Sequence, residues 1–161
     1  MLTTLKIVVF ITAALLLQVT ILPAYLADPF KPNFLIIAVT YLGLKTGRGG
    51  GFAAFALGLL QDCFSGIYMG LNGFSFLSIY LILNMAADRL YTDSRYLMLF
   101  VVFLATIVNG LLHLLLLLVF PTATGIYMTL LAALIPQALV NTLFSSLLFS
   151  FPLLNALEES R

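Results

Sequence analysis

From Gly49 to Ala87 the chain carries a single charged side chain, Asp62. A stretch so poor in charge cannot clothe a water-facing surface, and a carboxylate inside it needs a physical reason. The pattern holds throughout: 63% of residues are hydrophobic and 8% charged, against about 45–50% and about 25% in soluble domains. We therefore expect an all-α, polytopic membrane protein. No polar segment is long enough for a soluble domain, so residues 1–161 are read as one transmembrane domain.

Six apolar runs are separated by short polar turns. They are Thr4–Leu22, Phe34–Leu44, Gly51–Gln61, Leu71–Ala87, Tyr96–Phe120 and Met128–Phe151. The first is long enough, at 1.5 Å per residue, for a hydrocarbon core of about 30 Å. It could also be taken for a signal peptide, but Tyr25-Leu26-Ala27 is not an A-x-A cleavage site, so we read a span. The second and third runs are short. They are either full spans completed by flanking residues, the reading taken here, or a re-entrant hairpin shielded by protein. Pro32 suits the first turn of the second helix, and Pro136 predicts a kink in the last. Tyr127 is placed to anchor at an interface.

Lysine and arginine set the orientation. With six spans and a cytoplasmic N-terminus, Lys6, Lys45, Arg48, Arg89, Arg95 and Arg161 fall inside, and Lys31 alone falls outside. Both termini are then cytoplasmic.

Composition also removes several function classes. The net charge is +1 and the basic residues form no patch, which speaks against nucleic acid as a partner. Cys63 is the only cysteine and His113 the only histidine. Neither a disulfide nor a cysteine or histidine metal cluster can be assembled, and no metal or cofactor is expected. Gly47-Arg48-Gly49-Gly50-Gly51 lacks the spacing of a phosphate-binding loop and reads as a basic turn. No nucleophile–base–orienter set is visible, so no catalytic residue is assigned and an enzyme is not expected.

Three sets of residues remain. Asp62 ends the third run, where an acid costs about 2.5–3.5 kcal/mol at mid-membrane and less near the interface. It is either an ion or partner site, or a helix anchor bonding backbone N–H groups of the glycine-rich turn that follows. Gly66 and Gly70 have the GxxxG spacing that brings helices close, or they belong to an apolar hairpin. Asn109 with His113, and Gln137 with Asn141, are i, i+4 pairs, each on one helix face. Each pair either lines a polar cavity or makes interhelical hydrogen bonds.

The central stretch resembles a known family. Gly51-Phe52, then Gly58-Leu59-Leu60-Gln61-Asp62, then Gly66 and Gly70-Leu71-Asn72-Gly73 are similar to the signature of the MreD family of bacterial rod-shape-determining membrane proteins. Length and six spans fit as well. Pro32-Asn33-Phe34-Leu35 departs from the family's common P-D-L, which puts a negative charge at that helix start in doubt. The resemblance implies a non-enzymatic part in cell-wall elongation at the bacterial inner membrane, surrounded by lipid. The implied partner is MreC, and through it RodA, a penicillin-binding transpeptidase and MreB. It makes Gly58, Asp62, Gly66, Gly70 and Asn72 the candidate partner-binding or structural motif. It also implies a fold like the S components of energy-coupling-factor transporters, and hence an alternative role as a small-molecule-binding transport subunit.

The topology makes a direct prediction. A green fluorescent protein fused to the C-terminus should fluoresce, and alkaline phosphatase fused there should be inactive. The opposite pattern overturns the orientation.

Overall fold

The computed structural model describes residues 14–27, 30–46, 49–65, 69–90, 94–119 and 126–150. Gly66, the Gly47-Arg48 part of the basic turn and the tail after Ser150 lie outside them. The described residues form six helices and no strand. These are α1 (Ala14–Tyr25), α2 (Phe34–Lys45), α3 (Gly50–Ser65), α4 (Leu71–Ala87), α5 (Arg95–Val119) and α6 (Ile126–Ser150). Within these, Arg95–Leu118 and Tyr127–Ser150 are long and apolar enough to cross a membrane. Along α6, Met128, Leu131, Ile135, Leu139, Leu143 and Leu147 are exposed at steps of three and four residues. In water that row would be polar; here it is a surface suited to lipid.

The short helix α2 is the centre of the bundle. It packs against α3, α4, α5 and α6. Leu35, Ile36, Ile37, Val39, Thr40 and Leu44 are all buried, as expected of a helix with apolar residues on every face. Its 12 residues rise only about 18 Å, short of a hydrocarbon core of about 30 Å. Cross-helix contacts show where it starts. Asn33 bonds Asn141. The Phe34 and Phe144 rings meet edge to face at 5.7 Å, and Tyr41 stacks on Phe149 at 6.4 Å. So α2 runs parallel to α6 and begins level with Asn141, about 22 Å below the start of α6 at 1.5 Å per residue. The helix of the second run is thus shorter than a full span, and the residues just ahead of it, Pro32 and Asn33, are irregular and buried.

Irregular backbone buried in protein requires protein groups in place of water, and three side chains supply them. The Asn33 N–H donates to Asn141 Oδ1 at 2.7 Å, and the Phe34 N–H to Gln18 Oε1 at 3.0 Å. Asn33 Oδ1 caps the helix by accepting from the Ile36 N–H at 3.2 Å and also accepts from Gln18 Nε2 at 3.4 Å. Asn141 Nδ2 then donates to Thr106 Oγ1 at 3.1 Å. Gln18 reaches this position from a π-helical turn, Leu17–Ile21, immediately ahead of Pro23, whose ring disfavours regular helix in the preceding turn. The oxygen of Asn33 acts as an acceptor, as an aspartate would, without bringing a charge to the middle of the bundle.

The other ends are tied similarly. The Thr46 carbonyl, just past α2, accepts from Asn84 Nδ2 at 2.9 Å and from the Tyr80 hydroxyl at 3.4 Å. The Tyr127 hydroxyl donates to the Leu117 carbonyl at 3.0 Å, meeting one of the orphan acceptors at the end of α5.

Replacing Asn141 with Ala strands the buried Asn33 N–H. The expected loss is about 1–3 kcal/mol in reversible unfolding by SDS. Thr106→Val removes one interhelical bond and should cost nearer about 0.6 kcal/mol. Equal losses would contradict the network's order of importance.

Candidate functional site

Helix α4 begins with Gly70 as its N-cap, in the left-handed conformation at φ 95°. Glycine adopts that turn at no steric cost, but it has no side chain with which to cap the helix. The first backbone N–H groups of α4 would be orphans. Asp62, on the last turn of α3, meets them. Its Oδ2 accepts from the N–H groups of Gly70 at 2.9 Å and Gly73 at 3.1 Å. Its Oδ1 accepts from the Asn72 N–H at 3.0 Å and from Asn72 Nδ2 at 2.8 Å. Asp62 is 3% exposed. An acid near the end of its own helix opposes that helix's dipole, whereas the positive end of α4 attracts it. The carboxylate therefore belongs electrostatically to the helix that follows it.

The clamp works because α3 and α4 touch backbone to backbone. A Cβ built on Gly58 would sit 2.5 Å from the Asn72 carbonyl oxygen and the Gly73 Cα. Gly73 is itself closed in by the Leu59 and Phe55 side chains. Gly58 and Asp62 are one turn apart, so the strand of backbone that fits against the glycine also comes within reach of the acid. This differs from the GxxxG reading. A Cβ on Gly70 would meet nothing within 4 Å: that glycine serves the turn, and Gly66 lies outside the described residues. The close approach is made by Gly58 and Gly73, an association between distant sequence positions that no fixed spacing announces.

The four polar residues of the last two helices separate. Asn141 belongs to the network under α2. Gln137 is half-buried one turn away from it. Asn109 and His113 differ from Asn141: the buried atoms Asn109 Oδ1 and His113 Nε2 have no hydrogen-bond partner among the described residues. Three residues that matter to the interior carried a weaker signal. Gln18 and Thr106 sit singly in apolar runs, and Asn33 was noted only as a departure from P-D-L at the start of one. Among the described residues no group of three or more His, Cys, Asp or Glu side chains could hold a metal.

The apolar outer surface, the buried helix starts and the capping carboxylate define a helical membrane protein whose intramembrane polar groups serve largely to hold its own backbone. The family comparison makes the class specific. Residues 1–157 match the model for rod shape-determining protein MreD, and the chain belongs to that family of membrane proteins, which determine rod shape. No curated protein and no solved structure matches it.

Asp62→Ala leaves three backbone N–H groups of the α4 start without an acceptor and should cost at least about 2 kcal/mol on unfolding. Gly58→Val should be as damaging, because the added carbons meet backbone rather than a movable side chain. Wild-type stability in either variant would show that the hairpin contact is dispensable.

Proposed function

We propose that the protein is a non-catalytic scaffold of the machinery that builds the lateral cell wall. In this reading it sits in the bacterial inner membrane as a six-span protein with cytoplasmic termini. It binds MreC, and through MreC supports RodA, its penicillin-binding transpeptidase partner and the MreB filaments. Family membership supplies the setting. The observation that favours a scaffold over a transport subunit is the groove between α4 and α5. It measures about 260 Å³ and is walled by apolar side chains alone, running from Ile79 and Val108 past Leu83 and Ala86 to Leu90 and Leu97. A subunit that binds a small polar molecule needs convergent hydrogen-bonding groups in its cavity. A groove of this kind suits an apolar helix of a partner lying alongside.

The test is co-purification. Ala86→Phe fills the groove, and Asp62→Ala with Gly70→Leu disturbs the hairpin. Each should lower recovery of MreC several-fold, with the amount of protein in the membrane unchanged for Ala86→Phe. Full recovery with the filled groove would remove the groove from the interface. Depletion in the native cell should produce rounding and loss of lateral wall synthesis; a vitamin requirement with normal shape would instead support the transport reading.

A further inference from the structure

A second cleft, of about 230 Å³, opens between the first turn of α5 and the far part of α6. Arg95, Tyr96 and Leu99 line it from α5, and Ser146, Phe149 and Ser150 from α6. At about 100° per residue, Arg95 and Leu99 point away from the row of Leu97, Val101 and Val108 that walls the groove against α4. The two sites are therefore separate, and what fills one leaves the other open.

One residue sets the charge of this cleft. From Arg95 to Ser150 the sequence holds no acid and no second Lys or Arg. Among the described residues Arg95 makes no ion pair, and the Tyr96 and Ser146 hydroxyls have no hydrogen-bond partner. The Ser150 hydroxyl donates to the Ser146 carbonyl at 2.7 Å, so it has no proton left to offer. The positive end of the α5 dipole lies beside the C-terminal part of α6, whose dipole opposes it. That leaves the guanidinium to decide the sign, and the cleft suits an anion. Pockets for drug-sized ligands run to about 300–1,000 Å³, so the anion is a smaller group. A guanidinium flanked by hydroxyl donors matches a phosphate.

The surface beyond the cleft identifies the source of that phosphate. Ser150 and Ser146 are one turn apart on α6, and steps of three and four residues lead on to Leu143, Leu139 and Ile135 on the same face. These three side chains are exposed. The stripe is thus polar at one end and apolar for about 16 Å beyond it. A free phosphate makes no use of such a stripe. A phospholipid does, because its headgroup and acyl chain are joined in the same order. Zwitterionic lipids also carry an ammonium, and the cleft has no acid to receive one.

We propose that this cleft holds the headgroup of an anionic phospholipid. The phosphate rests on Arg95 and Ser146, and one acyl chain lies along Leu143, Leu139 and Ile135. Basic pockets between transmembrane helices are a known setting for such headgroups. The site does not depend on which partner takes the groove between α4 and α5.

The full chain, purified in a non-ionic detergent, is titrated with phosphatidylglycerol or with phosphatidylethanolamine of the same acyl chains and followed by native mass spectrometry. Phosphatidylglycerol should be retained several-fold more than phosphatidylethanolamine. Arg95 is exposed, so Arg95→Gln should fold, and it should abolish the preference. Arg89→Gln makes the same change of charge outside the cleft and should leave the preference intact. Equal retention of the two lipids by the wild-type protein overturns the proposal without recourse to a variant. A preference that survives Arg95→Gln, or falls equally in Arg89→Gln, also overturns it, by removing the cleft or by assigning binding to net charge. Displacement of phosphatidylglycerol by millimolar inorganic phosphate overturns the lipid as the source.

Discussion

Backbone N–H groups at the start of a helix have to be bonded, and in an apolar bundle water cannot be relied on to do it. Two of the helices begin inside this one. At α2 the acceptors are neutral amides, Asn33, Gln18 and Asn141. At α4 the acceptor is a carboxylate. The choice follows from depth. The start of α2 lies level with the middle of α6, where a charge is most expensive, and is served by groups that carry none. The start of α4 is bonded at the positive end of a helix, where the dipole repays part of the cost of an acid.

These two anchors arrange the rest. Fixing the beginning of α2 at mid-depth makes a 12-residue helix sufficient to reach the opposite end, where Tyr80 and Asn84 of α4 receive its last turn. Fixing the beginning of α4 against Asp62 holds α3 and α4 close enough for Gly58 to lie on the backbone of Asn72 and Gly73. The central helix is thus held at one end by α1 and α6, and at the other by α4.

Much of this was legible in the chain. From the second run onward, apolar runs gave helix positions to within a few residues, because charge and proline punctuate so apolar a sequence clearly. Asp62 stood out for the same reason. The depth of α2 was not legible: a short apolar run looks alike whether it spans with help from its flanks or starts halfway, and the deciding bond joins residues 108 positions apart. The GxxxG spacing of Gly66 and Gly70 left two readings open, since a left-handed turn and a helix interface both call for glycine; Gly70 serves the turn. Asn109 and His113 shared a face as the spacing required, but periodicity could not tell a bonded pair from one facing an unpaired site.

The two anchors also differ in when they can form. Asp62 and its donors are 8 to 11 residues apart, so that clamp can close as soon as the hairpin has been synthesised. The N–H of Asn33 must wait for Asn141, 108 positions further along the chain. Until then Gln18 can serve Phe34, but the innermost donor of α2 has no acceptor of its own. The central helix is therefore completed long after it is made, and a fragment that stops before α6 lacks the acceptor of its innermost donor.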